Sequence, residues 1–209
     1  MNPVLFSKIA TLWSFRRELI YVSFAFLLTL LLPVIAVILL TNAGIDIVSE
    51  RLVTANIETG KVDIHDPATG EIIDSIQTNA VWPTHGVVTL EFGESDFPYQ
   101  PLHSGIDIAN PGGKIGDPVT AFMPGKVIYA GEIFWGFGKH IIIDHGNNIT
   151  SVYAHLDKIF VAPGQEIKST DRVIGYEGST GWSTGPHLHF QIDVFGIPVN
   201  PRTFLSGNP

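Results

Sequence analysis

Eight histidines and no cysteine set the terms for metal chemistry in this chain of 209 residues: a transition metal must be held by imidazole and carboxylate. The histidines stand at 65, 85, 103, 140, 145, 155, 187 and 189, and their spacing separates them. In Pro186-His187-Leu188-His189-Phe190-Gln191-Ile192-Asp193-Val194, polar and apolar residues alternate strictly. A strand there presents His187, His189, Gln191 and Asp193 on one face and Leu188, Phe190, Ile192 and Val194 on the other. Two imidazoles then project the same way, about 6.6 Å apart along the strand. One can bind a metal while the other stands beside the metal's substrate. An exposed polar strand face without any chemistry shows the same alternation.

A second cluster is His103-Ser104-Gly105-Ile106-Asp107. A straight strand would separate its two polar groups by about 13 Å, too far for one ion with ligand bonds of about 2.0 to 2.2 Å. Gly105 permits a bend that brings them together. The competing reading is a turn in which Asp107 caps local amides. Tyr153-Ala154-His155-Leu156 is the third element, with Tyr153 and His155 on one strand face and Val152 and Ala154 on the other; a single histidine in this setting also occurs as a packing residue. His140 and His145 flank Ile141-Ile142-Ile143 and read as structural, and His65 and His85 have no partner pattern. Gly181-Trp182-Ser183-Thr184-Gly185 matches a nucleophile elbow in letters only, because that elbow needs a helix after it and Pro186 with an alternating strand follows instead. The loop is expected to shape the approach to His187.

Stepping outward, short apolar runs punctuated by Gly and Pro fill the chain beyond Val81: VVTLEF, PVTAF, KVIYAG, HIIIDH, ITSVYAHL, RVIGY and HLHFQIDVF. Short β-like runs without a helical period predict an all-β domain over 81–209. Residues 42–80 are polar and acidic and predict a stalk outside the membrane, with a β-hairpin in which Val62, Ile64, Ile72 and Ile73 flank a turn at Asp66–Gly70. Residues 19–41 carry no charge and 19 apolar side chains. At about 1.5 Å per residue they span about 34 Å, enough for the roughly 30 Å bilayer core. A single transmembrane helix is expected there, retained rather than cleaved, since it exceeds the usual signal-peptide core.

Charge orients the chain. Residues 1–18, with Lys8, Arg16, Arg17 and Glu18, carry a net of +2, whereas 42–209 carry 9 basic against 19 acidic residues, a net of −10. The basic tail is expected in the cytoplasm and the large domain outside. A domain this acidic, without a Lys/Arg stripe, excludes nucleic-acid binding.

Taken together, HSGIDIA (103–109), YAHL (153–156) and GSTGWSTGPHLHF (178–190) resemble the signature segments of the lysostaphin-type, or LytM-like, peptidoglycan metalloendopeptidases. The resemblance runs from Trp82-Pro83 to Asn200-Pro201 and includes Phe92-Gly93, Gly125-Lys126-Val127 and Ile143-Asp144-His145-Gly146. It implies an antiparallel β-sheet domain with a loop-lined groove, Zn²⁺ held by His103, Asp107 and His189, and His155 and His187 as the catalytic pair. It further implies a bacterial endopeptidase acting on stem or cross-bridge peptides of peptidoglycan, which the apolar 19–41 segment is expected to anchor in the bilayer. The other function class open to such a domain is a catalytically silent module that binds wall or activates a partner hydrolase. Two departures stand out: Gln191 occupies a position where family members often have Glu, and His140 one where relatives often have Asn.

Overall fold

A computed structural model describes residues 3–56, 58–77, 80–94 and 102–209. The chain divides into two compact units, Met1–Ala43 and Gly44–Pro209.

The first unit is helical. It belongs to a helix α1 (Pro3–Leu52) that runs past both ends of the apolar 19–41 segment. Within α1, Arg16–Val37 is a 22-residue stretch of mean hydropathy 2.5 whose side chains are unburied, long and apolar enough to cross a membrane by length and composition. Pro33 lies inside it.

The second unit begins with the last turns of α1, where Ser49 and Leu52 are buried and Glu50 and Arg51 exposed. Arg51 in the final turn faces the negative end of the helix dipole. Strands β1 (Val53–Asn56), β2 (Lys61–His65) and β3 (Ile72–Gln77) follow as an antiparallel sheet. The β2–β3 turn is closed by Asp66, whose Oδ1 accepts the amides of Ala68 and Thr69, each at 2.8 Å. Leu52, Val53, Val62 and Ile64 are buried in the same core cluster as the strands beyond residue 81. Through these residues the described part of 44–80 is packed into the core of the second unit. So few buried positions leave its average composition polar, which is why it reads as a stalk.

The main sheet runs β11 (Glu166–Ile167), β7 (Gly125–Glu132), β8 (Lys139–Gly146), β9 (Ile149–Ala154), β13 (Leu188–Val194), β5 (Ile106–Ala109) and β4 (Val87–Leu90), with β14 (Ile197–Val199) paired to β13. A smaller sheet orders β10 (Lys158–Ile159), β12 (Val173–Tyr176) and β6 (Pro118–Thr120). Every pairing is antiparallel. The domain is therefore mostly antiparallel β, as the alternating runs predict; beyond α1 the described residues add one 3₁₀ turn, Pro201–Thr203. Alternation in β13 sends Leu188, Phe190, Ile192 and Val194 into the core, all at 0% exposure. Tyr153 and Ile141, in register with Phe190 across β9 and β8, join them. The opposite face of β13 carries His189, Gln191 and Asp193.

Candidate metal centre and histidine pair

Register places the first two site residues. Asp107 on β5 pairs directly with His189 on β13, so the two side chains stand side by side on the polar face. His103 arrives from the turn before β5: its amide donates to the Glu94 carbonyl at 2.9 Å, and its own carbonyl accepts from Gly93 at 2.9 Å. Gly105 is required here for space rather than for a left-handed bend. A methyl group on it would strike the Phe190 carbonyl and come within 3.0 Å of His189 Cε1. Removing Cβ lets β5 lie close against β13 and brings the three residues together.

His103 Nε2 lies 3.0 Å from Asp107 Oδ1, His189 Nδ1 lies 2.9 Å from the same oxygen, and the two imidazole nitrogens are 2.9 Å apart. These ligand-type atoms all fall within 4.8 Å of one another. Burial pushes the Asp107 carboxyl up, but hydrogen bonds from His103 and His189 and their charges outweigh it and hold it well below the usual carboxylate range. Zinc fits this set on two structural grounds: the donors are His and carboxylate converging on one point, and each imidazole is turned by a hydrogen bond on its far nitrogen side. His103 Nδ1 donates to the Glu91 carbonyl at 3.1 Å, and Glu91 is itself gripped by Arg202 at 2.7 and 3.1 Å. His189 Nε2 faces Gln191 Oε1 at 3.5 Å. Gln191 also accepts from Ser104 at 2.6 Å and donates to Asp193 at 2.7 Å. The neutral amide at 191 thereby connects His189 to the carboxylate of Asp193. Phe137 stacks on the His189 ring at 5.6 Å.

His155 and His187 border the cluster, their ring centroids 4.7 Å apart, with His155 5.9 Å from His189. The expectation that Tyr153 and His155 share a face does not hold. Strand β9 ends at Ala154, and His155 adopts φ 61°, which turns its side chain off the face occupied by Tyr153. A left-handed histidine is an uncommon conformation that neighbouring contacts must hold. Here the His155 amide donates to the Phe137 carbonyl at 2.9 Å and its Nδ1 donates to the Thr180 carbonyl at 2.8 Å. Tyr153 is a core residue, its hydroxyl accepting the Phe122 amide at 2.9 Å. His187 precedes β13 and bridges to Gly178; its Nδ1 donates to the Gly185 carbonyl at 2.9 Å, and its Nε2 lies 3.5 Å from Asp107 Oδ2. Burial, then the neighbouring His187 and His189, press the His155 pKa down to about 4. At neutral pH that imidazole is uncharged, with Nε2 as the nitrogen left to act.

The remaining histidines lie elsewhere. His140 stacks on Tyr129 at 4.4 Å, and its Nδ1 donates to the Gly138 carbonyl at 2.9 Å. His145 is fixed between the Pro124 carbonyl and Ser151. His65 ends β2 in the β1–β2–β3 sheet, bonded to Thr54 and the Gly70 carbonyl. The orienting carbonyls of Glu91, Thr180 and Gly185 escaped sequence reasoning, because a backbone oxygen leaves no residue-type signal. Ser104 and Asp193 were in view as neighbours but carried no assigned task.

Comparison with known proteins follows the same segments. Residues 101–201 match the model of peptidase family M23. The murein hydrolase activator NlpD of Salmonella dublin is 37% identical over 155 residues, which is 74% of this chain and 39% of that protein; the chain thus spans well under half of the relative it matches. A catalytic-domain structure of the prophage-encoded M23 protein EnpA from Enterococcus faecalis is 32% identical, covering 60% of this chain and 95% of that one, with a TM-score of 0.52. A zinc-containing peptidase from Vibrio cholerae is 30% identical over 75% of this chain and 47% of that one, with a TM-score of 0.54. With fold, signature segments and the LytM-like neighbours in agreement, the chain belongs to peptidase family M23.

Proposed function

We propose that this protein is a membrane-anchored zinc endopeptidase that hydrolyses peptide cross-links in peptidoglycan. The observation that carries the reading is the completeness of the site: His103, Asp107 and His189 bring their ligand-type atoms within 4.8 Å of one another, and His155 and His187 stand beside them as a pair. Zinc held by those three residues would supply Lewis-acid polarisation of the scissile carbonyl and lower the pKa of a water toward 7. The protein's own residues do the rest. His155, neutral at neutral pH and donating Nδ1–H to the Thr180 carbonyl, presents Nε2 as a proton acceptor. His187, its Nδ1–H donated to the Gly185 carbonyl, presents Nε2 to the same space and serves as the hydrogen-bond donor to a developing oxyanion when protonated there. The Arg16–Val37 stretch of α1 anchors the domain, with Lys8, Arg16 and Arg17 holding the N-terminal end in the cytoplasm. The domain then works between membrane and wall.

A second reading has its own support: the 37% identity to a murein hydrolase activator favours a module that stimulates a partner hydrolase. One experiment separates the two. Purified full-length chain in detergent is assayed for bound zinc, and its digests of defined cross-linked muropeptides are weighed by mass spectrometry. New amine and carboxyl ends that vanish with a chelator and return with zinc support the peptidase. Intact muropeptides in the presence of stoichiometric zinc, with stimulation of an added wall hydrolase, would establish the activator instead.

A further inference from the structure

Phe134 and Trp135 on the β7–β8 loop and Trp182 on the loop before β13 are 91%, 53% and 66% exposed. The Trp135 and Trp182 ring centroids are 6.4 Å apart and inclined at 57°, so the two indoles open toward solvent as a shallow angle. Aromatic surface held in water at one place marks a contact surface. None of these three residues takes part in the metal cluster or the histidine pair.

The surface is pre-formed. The Trp182 amide donates to the Gly136 carbonyl at 2.8 Å, and the Lys139 amide donates to Thr180 Oγ1 at 2.9 Å. Gly138 and Gly181 adopt φ of 60° and 71°, and a Cβ on either would run into the backbone of the facing loop. The two loops are therefore sewn together. They are also the loops that orient the catalytic pair, through the Phe137 and Thr180 carbonyls on His155 and the Gly185 carbonyl on His187. A ligand seated on the indoles is held at a fixed position relative to both histidines, with little ordering cost on binding.

Its chemistry is specific. Residues 133–138 and 178–186 contain no Asp, Glu, Lys or Arg, so both loops that carry the indoles are uncharged. A neutral aromatic face matches a neutral pyranose ring, whose C–H face stacks on indole. An anionic polymer finds no counter-charge. A lipid headgroup surface is engaged by Lys and Arg beside the aromatics, and the nearest one, Lys139, has its Nζ committed to the Asp157 carbonyl at 2.9 Å.

We propose that Trp135 and Trp182, flanked by Phe134, form a stacking site for an uncharged N-acetylated sugar ring of the glycan strand, so that the domain holds the strand by its sugar and presents the attached peptide to His155 and His187. This rests on the peptidoglycan reading above and adds a glycan subsite to it. The test uses zinc-loaded full-length chain in detergent, its W135A/W182A double variant, and W135F/W182F, which keeps aromatic rings. Three readouts are taken: calorimetric binding of an N-acetylglucosamine tetramer, cleavage of a glycan-linked cross-linked muropeptide, and cleavage of the same cross-linked peptide without sugar. The expected result is tetramer binding that weakens about tenfold or more in the alanine variant and is largely kept in the phenylalanine variant. KM for the glycan-linked substrate rises by a similar factor with kcat unchanged, and the sugar-free peptide is cleaved as by wild type. Equal losses on both substrates would assign the indoles to peptide and overturn the proposal. So would absence of tetramer binding by wild type. Reconstitution into brominated-lipid bilayers provides a third refutation: a loss of tryptophan quenching in W135F/W182F, over the quenching of Trp13 and Trp82 that both proteins keep, would place these rings on lipid. Cleavage of the sugar-free peptide by wild type reports on the peptidase reading independently of all three outcomes.

Discussion

Glu177→Gln is expected to stabilise the domain at neutral and alkaline pH and to leave it nearly unchanged in acid. Glu177 is 0% exposed; among the described residues its carboxylate oxygens have no close hydrogen-bond partner, and the Asn110 amide, which draws its pKa down, offsets burial only in part. The Glu177 amide donates to the Asp117 carbonyl at 2.8 Å, and its own carbonyl accepts from Gly116 at 3.0 Å, so the backbone is fixed while the carboxyl is stranded. Burial first, and then the neighbouring Asp117 charge, push its pKa up from 4.5 to about 7. An unfolded chain releases this proton near 4.5, whereas the folded one keeps it until about 7. The stabilisation is therefore complete below about pH 4.5, declines between the two values, and is gone above about 7. At about 1.4 kcal/mol per pH unit, the gap is worth at most about 3 kcal/mol. The glutamine variant has no proton to lose. Denaturant unfolding of full-length wild type and variant, compared from pH 4.5 to 8.5, cancels the titration of every other group. The variant should gain up to about 3 kcal/mol on going from acid to pH 8, or about 6 to 12 °C in melting temperature. A difference that stays flat with pH would refute the stranded-proton argument. Gly178, the next residue, accepts the His187 amide at 3.0 Å, so the same variant should also retain activity to higher temperature at pH 8.

Three further outcomes are expected. His189→Ala should empty the metal centre and abolish cleavage, whereas His187→Ala should retain near-stoichiometric zinc while kcat falls by about 10² to 10⁴; metal analysis with muropeptide assays checks the pair, and a reversal of the zinc results would exchange ligand and catalyst. Gln191→Ala should weaken zinc binding by about 10- to 100-fold in a chelator competition, since it removes the group between His189 and Asp193. Protease added to intact protoplasts should remove the large domain, and protection of that domain with loss of the N-terminal tail would reverse the proposed orientation.

Much of the architecture is legible in the sequence because period-two alternation is a local property. Strand β13 shows this best: one face reads Leu, Phe, Ile, Val and is buried, the other reads His, Gln, Asp and is polar. The apolar runs correspond likewise to β4, β6, β7, β8, β9 and β12. Strands β10 and β11 are two residues each and exist through their partners, Tyr176 and Gly175 for one and Lys126 and Gly125 for the other, so no pattern announces them. At the site, spacing drew attention to three segments that could equally be structural, the family resemblance picked out His103, Asp107, His155, His187 and His189 among them, and the structure brings all five side chains to one region. What spacing missed is how they are turned. The φ of 61° at His155 is imposed by the Phe137 and Thr180 carbonyls, and Gly105 serves the approach of a strand distant in sequence. Both are tertiary effects without a local pattern.

The way the imidazoles are held bears on where this site can vary. His103, His155 and His187 each direct one nitrogen at a backbone carbonyl, those of Glu91, Thr180 and Gly185. A carbonyl oxygen survives any side-chain substitution at its residue, so these three orientations depend on loop path and tolerate a wide choice of residues along it. His189 differs, since its far nitrogen meets a side chain, Gln191. Whatever stands at 191 therefore changes the basicity and aim of one ligand without moving a strand. A glutamate there would place a charge beside His189; the glutamine instead bonds to Asp193, a carboxyl whose pKa burial raises, and keeps the negative charge one residue pair farther along β13. The departure at 191 thus leaves the His103–Asp107–His189 cluster intact while placing the electrostatic support of His189 under the control of a single replaceable side chain.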